Sequence, residues 1–181
     1  VWNRRKNGEV YAELLTISAV LDSQGNTQQY VALFSDITGI KEHQRQLEHI
    51  AHFDALTNLP NRLLLADRLK QAMAQAQRRS QQLAVVYLDL DGFKAVNDTH
   101  GHAIGDKLLI HLATSMKSTL REGDTLARLG GDEFVAVLID LDGIESCAAM
   151  VTRLLDAASG PVLLGEIVLQ GSASIGVTFY P

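Results

Sequence analysis

Apolar and polar positions change rhythm several times along this chain. Residues 9–20 (Glu-Val-Tyr-Ala-Glu-Leu-Leu-Thr-Ile-Ser-Ala-Val) are rich in β-branched and aromatic types with partial alternation, and residues 29–37 have the same character. Between them lies the turn-forming Asp22-Ser23-Gln24-Gly25-Asn26, so the pattern predicts an antiparallel hairpin. From Ile40 to about His52 the alternation gives way to Ile40, Gln44, Leu47 and Ile50 or Ala51 at helical spacing among charged and amide residues. That pattern predicts an amphipathic helix connecting two units.

From Asn61 to Arg79 the apolar positions Leu65, Leu69, Ala72, Met73 and Ala76 recur at three and four, with Pro60 just ahead as a start signal, which predicts a helix. Leu83 to Leu90 is a nearly continuous apolar run of strand length, as expected of a central strand covered on both faces. A helix over about 103–120 carries Leu108, Leu112 and Met116 on one stripe; strands then flank Gly130-Gly131, a pair free to take the positive φ of a tight hairpin. A further helix over about 143–158 ends at Gly160-Pro161, and β-rich runs follow at 161–169 and 172–179. Helices alternating with strands in this order predict an α+β or α/β domain with helices on a mixed sheet.

The 181 residues suffice for one domain and part of another. At 46% hydrophobic and 20% charged residues with 3 Pro, the composition is that of a packed globular chain rather than a disordered one. The net charge of -5 provides no basic field for a phosphate backbone, which argues against nucleic acid as partner but leaves a single nucleotide open. The lone Cys147 excludes a disulfide framework and reads as a small buried apolar residue. No apolar window reaches membrane-span length, so no membrane contact is expected within these residues and a cytoplasmic setting is. A first residue other than Met, inside a strand pattern, suggests a piece of a longer protein whose other parts could attach to a membrane.

Two acidic clusters are the candidate chemistry: Asp89-Leu90-Asp91 at the end of the central strand and Asp132-Glu133 at the Gly-Gly turn. Two readings stand side by side. Such acids are common as solvated groups at strand ends; they are also the hard oxygen ligands that Mg²⁺ combines with waters and substrate phosphates. Gly92-Phe93-Lys94 adds backbone N–H groups and a cation suited to phosphate oxygens. Asn97 and Asp106, around Gly101 and Gly105, have the donors and acceptors to read a guanine edge. The plainer alternative places Asn97 in a turn and Asp106 in the first turn of a helix.

Taken in order, Asp54-Ala-Leu-Thr-Asn-Leu-Pro-Asn-Arg62, Asp89-Leu-Asp-Gly-Phe-Lys-Ala-Val-Asn97-Asp, Gly101-His-Ala-Ile-Gly-Asp106, Arg128-Leu-Gly-Gly-Asp-Glu-Phe134 and Ser174-Ile-Gly-Val-Thr178 resemble the GGDEF domains of diguanylate cyclases. The resemblance covers about 50–181, and it implies a nucleotidyl cyclase (palm-like) α+β fold over 54–181. It implies that Asp89, the Leu90 carbonyl and Asp132 bind Mg²⁺, with Mn²⁺ able to substitute, and that Glu133 shares the site. Asp132 is then the candidate for assisting deprotonation of a ribose 3′-hydroxyl. Asn97 and Asp106 would recognise guanine, and Gly92, Phe93 and Lys94 would hold the phosphates. The implied reaction joins two GTP molecules into cyclic diguanylate and pyrophosphate across a homodimer. Arg121-Glu-Gly-Asp124 matches the family's RxxD pattern, which implies an inhibitory site for the product at Arg121 and Asp124.

Residues 1–39 resemble the last strands of a PAS sensory domain, ending in Asp36-Ile37-Thr38, with residues 40–53 as the connector. A fragment of that size is expected to bind no cofactor. The family usually continues past the Phe179-Tyr180-Pro181 ending into a helix with basic residues near the triphosphate, so the domain is expected to be cut short here. Asp91-Gly92-Phe93-Lys94 and that ending are also similar to cyclase domains that precede an EAL phosphodiesterase domain. Some such domains are inactive and serve as binding modules for GTP or cyclic diguanylate, which is the alternative to an active cyclase.

Overall fold

A computed structural model describes residues 1–181 and separates them into two units, Val1–His49 and Ile50–Pro181. The first unit is a sheet of β1 (Trp2–Arg4), β2 (Val10–Leu21) and β3 (Thr27–Asp36) in the order β1-β2-β3, antiparallel throughout. The reversal between β2 and β3 is held by Asp22, whose Oδ1 accepts the N–H groups of Gln24 and Asn26 at 2.8 and 2.9 Å. Short side chains that bond their own backbone in this way are why Asp and Asn mark turns. All of β3 is exposed, and Ala12 and Glu13 are the buried residues of β2. Asp36 accepts the Thr38 N–H, and the Thr38 hydroxyl accepts the Ala12 N–H at 2.9 Å. These bonds start α1 (Thr38–His52), whose apolar Ile40, Leu47 and Ile50 are exposed.

The second unit runs α2 (Arg62–Arg79), β4 (Gln82–Asp91), α3 (Phe93–His100), α4 (His102–Thr119), β5 (Thr125–Gly130), β6 (Glu133–Leu141), α5 (Ile144–Ser159), β7 (Pro161–Leu164), β8 (Ile167–Gln170) and β9 (Ser172–Tyr180). Helix α2 begins after Asn61, whose Oδ1 accepts from the Leu63 and Leu64 N–H groups. That cap satisfies donors which a helix start otherwise leaves open.

The α+β class holds, but the central sheet is antiparallel at every pairing in the order β5-β6-β4-β9, not mixed. The reason is topological. The α3–α4 excursion after β4 delivers the chain to β5, which runs in the same direction as β4, but the tight Gly130–Gly131 hairpin inserts β6 between them. The run expected as one strand at 161–169 is the separate β7–β8 hairpin, which turns at Gly165 with φ 69°. Helix α3 was not anticipated; its ends are set by Gly92 and Gly101.

Alternation along β4 sorts its side chains onto two faces. Ala84, Val86, Leu88 and Leu90 join Phe134, Ala136 and Leu138 of β6 in a core with Leu108, Leu112 and Met116 of α4 and Met150 and Leu154 of α5. Leu83 and Val85, with Val135 and Val137 of β6, face Leu65, Leu69, Met73 and Ala76 of α2. Cys147 packs in the first core, and burial pushes its thiol pKa up. No helix is long and apolar enough to cross a membrane.

Candidate functional site

The face of β4 under α2 continues past the helix. There it carries Tyr87, which is 41% exposed, and the exposed Asp89 and Asp91. Strand β6 sets Glu133 directly opposite Asp89, and β9 sets Ser174 opposite it on the other side. Asp132 sits on the turn just before β6, where Gly130 and Gly131 take φ of 144° and 54°, values that side chains with a Cβ rarely adopt. The Leu90 N–H donates to the Asp132 carbonyl at 3.4 Å, tying the turn to the end of β4. The sheet register thus brings together the two acidic clusters that the sequence separates by more than forty positions.

Charge crowding is visible in the electrostatics. Partial desolvation, then the carboxylates of Asp132, Glu133 and Asp91, raise the pKa of Asp89 above its ordinary 3.8. Glu133, as hydrogen-bond partner and as charge, pushes the Tyr87 phenol above its ordinary range. No three His, Cys, Asp or Glu side chains are gathered into a closed metal cage. Mg²⁺ does not need one, because it binds through one or two carboxylates and keeps positions for water and phosphate oxygens. The donor chemistry fits: Asp89 and Asp132 supply hard anionic oxygens where negative charge is in excess, and the Leu90 carbonyl lies at the same strand end.

Beside the acids, Gly92 turns the chain in the left-handed region with φ 73° and caps α3. The Val96 N–H bonds the Gly92 carbonyl at 3.2 Å, so the N–H groups of Phe93, Lys94 and Ala95 precede the helical ladder and are available to an anion. Asn97 lies in α3, not in a turn. Its Oδ1 is buried and has no hydrogen-bond partner, against Gly105 of α4, where an added Cβ would come within 2.0 Å of that oxygen. Asp106 follows in α4, beyond its first turn, and is exposed.

Arg121 and Asp124 stand apart from the acids, beside a cleft of about 370 Å³ that also involves Phe53, Arg68, Lys117 and Leu126. Arg121 is exposed. Asp124 is half-buried and already bonded through both oxygens, to the Arg121 N–H at 3.0 Å and the Ile139 N–H at 3.1 Å. It shapes the turn into β5 and has only its remaining lone pairs to offer a ligand.

Sequence reasoning assigned no role to the pair that fixes the turn. Arg128 donates to the Gly131 carbonyl from Nε at 3.0 Å and Nη2 at 2.7 Å, and its Nη1 meets Asp54 Oδ1 at 2.9 Å. Those side chains are only 10% and 21% exposed. Burial raises the Asp54 pKa, but the Thr57 hydroxyl and N–H together with Arg128 outweigh it and hold the carboxyl below its ordinary value. Tyr87 was also passed over, although counting in twos from Asp89 puts it on the acidic face.

Comparison with known proteins agrees with this geometry. Residues 51–181 match the family described as "Diguanylate cyclase, GGDEF domain". The bifunctional diguanylate cyclase/cyclic di-GMP phosphodiesterase MucR of Pseudomonas aeruginosa is 44% identical over 165 residues, which is 91% of this chain and 23% of MucR. Diguanylate cyclase TpbB of the same species is 37% identical over 143 residues, 78% of this chain and 33% of TpbB. The chain therefore spans a third or less of these curated relatives. The solved GGDEF domain of TpbB superposes with a TM-score of 0.69 at 38% identity, covering 72% of this chain and 76% of that one. The coiled coil and GGDEF domain of DgcB from Caulobacter crescentus, in complex with c-di-GMP, gives 0.71 at 26% identity, covering 80% and 78%. With the acids converging at a Gly-Gly-Asp-Glu-Phe hairpin and the match extending over most of its length, the chain belongs to the GGDEF diguanylate cyclase family.

Proposed function

We propose that this chain carries a working diguanylate cyclase unit, which holds one GTP and, facing a second copy, condenses two GTP into cyclic diguanylate with release of pyrophosphate. The convergence of Asp89, Asp132 and Glu133 on one open face, beside the unladdered N–H groups of α3, supports the reading most directly. Guanine is held by Asn97 and Asp106, and the buried Asn97 oxygen without a protein partner is consistent with a polar ligand there. Lys94 and the N–H groups at the start of α3 hold the phosphates. Asp132 takes the proton of the ribose 3′-hydroxyl. The freed oxygen attacks the α-phosphorus of the facing GTP, and the bond to the β-phosphate breaks so that pyrophosphate leaves with its electron pair. The reciprocal step closes the ring. Asp89, Asp132 and the Leu90 carbonyl would hold Mg²⁺, which when bound would supply Lewis-acid neutralisation of the phosphate charge. Glu133 adds a further carboxylate to that site.

Product analysis by chromatography, after incubation of the protein with GTP and Mg²⁺, tests the reading with Asp132→Ala as control. Cyclic diguanylate from the wild type alone is the expected result; equal product from Asp132→Ala overturns the assignment. A second reading has a specific basis: PdeR of Escherichia coli and NbdA of Pseudomonas aeruginosa, each 38% identical to this chain, are cyclic di-GMP phosphodiesterases by name. On that reading the unit binds nucleotide and relays a signal without turnover, and GTP binding without product would select it.

Arg121 and Asp124 form the product site on the same proposal, and Arg121→Ala is expected to raise the product concentration needed for half-inhibition. Unchanged inhibition overturns that assignment. The first unit is then the end of a sensory domain, in a cytoplasmic setting, and the amphipathic α1 passes its state to the alignment of two cyclase units.

A further inference from the structure

Asp91 is the one acid of the Asp89-Leu90-Asp91 pair that the proposed reaction does not use, and its surroundings give it a different task. Strand β9 runs antiparallel to β4 with Ser172 opposite Asp91 and Ser174 opposite Asp89. Both serine side chains converge on Asp91: the Ser172 hydroxyl donates to Oδ2 at 2.9 Å and the Ser174 hydroxyl to Oδ1 at 2.8 Å. Each carboxylate oxygen thus receives one hydroxyl bond, and bonds to an ionised acceptor are about twice as strong as neutral ones. The residue so fixed is the last of β4. The next, Gly92, makes the left-handed turn that starts α3 and has no side chain with which to cap it. That turn decides where the N–H groups of Phe93 and Lys94 point.

We infer that Ser172 and Ser174 are positioning residues that act through Asp91, a clamp from β9 fixing the Gly92 turn so that the start of α3 meets the β- and γ-phosphates of the nucleotide. The clamp also separates the two acids. Asp91 is committed to the serine hydroxyls, which leaves Asp89 as the carboxylate of this strand turned to the reacting groups. The inference rests on the nucleotide reading above. Nothing in the core depends on the serines, which are exposed, so their removal leaves the fold intact.

The test compares Mg²⁺-supported binding of a non-hydrolysable GTP analogue with binding of GMP, by calorimetry on the full chain, for the wild type, Ser172→Ala/Ser174→Ala and Ser172→Thr/Ser174→Thr. GMP lacks the phosphates that the turn addresses but keeps the base. The double alanine variant is expected to lose affinity for the triphosphate by about tenfold, as two charge-assisted hydrogen bonds are removed, and to keep its affinity for GMP. The threonine variant, which retains both hydroxyls, is expected to recover the triphosphate. Equal affinity of wild type and double alanine variant for the triphosphate overturns the clamp, as does a parallel loss for GMP. Failure of the wild type itself to bind the analogue overturns the nucleotide reading beneath it, so the two failures are told apart.

Discussion

Strand β4 has one face closed from Ala84 to Leu90 and another closed only as far as Val85. Ala84, Val86, Leu88 and Leu90 are all at most 4% exposed against α4 and α5, whereas on the opposite face burial runs out after Val85 and the strand continues as Tyr87, Asp89 and Asp91. The difference comes from helix coverage, since both faces belong to the same ten residues. The closed face supplies hydrophobic stabilisation and rigidity. The open half of the other face carries carboxylates whose mutual repulsion the folded chain tolerates because the closed face holds the strand in place.

The sharpest way to break this contrast is to remove chemistry from the open face without touching the closed one. Asp132→Ala is expected to lower cyclic diguanylate formation by at least about a hundredfold, the scale on which a positioned general base acts, while the circular dichroism spectrum and melting transition stay those of a folded domain. Loss of the transition along with the activity would show that the two faces are not separable.

The converse change is Leu88→Ala. Leu88 is fully buried, so its truncation is expected to destabilise the domain by about 2–5 kcal/mol, read from urea unfolding. Between these extremes lies the Arg128–Asp54 pair, which fixes the Gly-Gly turn from below. Asp54→Asn is expected to cost roughly 2 kcal/mol, with a defined pH dependence. Because the folded carboxyl titrates below its ordinary 3.8, its contribution is fully present above that value and is lost as pH falls through the lower folded pKa. The gap between wild type and Asp54→Asn in unfolding experiments should therefore be full at neutral pH and close in acid. A gap that persists unchanged in acid would assign the stabilisation to shape and not to charge.

How much of this was legible in the sequence follows the same division. Periodicity announces α2, α4, α5 and β4 because each buries a long stripe, and it sets the Gly-Gly hairpin by the backbone needs of Gly130 and Gly131. Helix α3 escapes it. Eight residues between two glycines show too little repeat to separate a helix from a loop. The mixed sheet was mistaken because strand direction depends on β6 entering between β5 and β4, a long-range event that no local pattern records. At the site, residue types identified the acids. The partners of Asp91, Asp54 and Asp124 were not legible, since each is decided by which backbone or hydroxyl group the fold brings to that carboxylate.

The smallest effect is also the most specific to the open face. Asp89 titrates above its ordinary value because it is partly desolvated and faces Asp132, Glu133 and Asp91. A raised carboxyl adds stability below its unfolded pKa, and that contribution is lost as pH rises through the folded value; at neutral pH the ionised Asp89 therefore weighs against the fold. With divalent cations removed by chelation, Asp89→Asn is expected to melt slightly higher than the wild type at neutral pH, and the difference should shrink as pH falls through the folded pKa and vanish well below the ordinary 3.8, where Asp89 is protonated in both states. Added Mg²⁺ should raise the melting temperature of the wild type and leave that of the variant nearly unchanged. A substitution at a proposed metal ligand would thus stabilise the unliganded domain. Equal melting of the two proteins at neutral pH would instead mean that the acids of the open face are too well solvated to repel one another, and that their convergence carries no electrostatic cost for a cation to relieve.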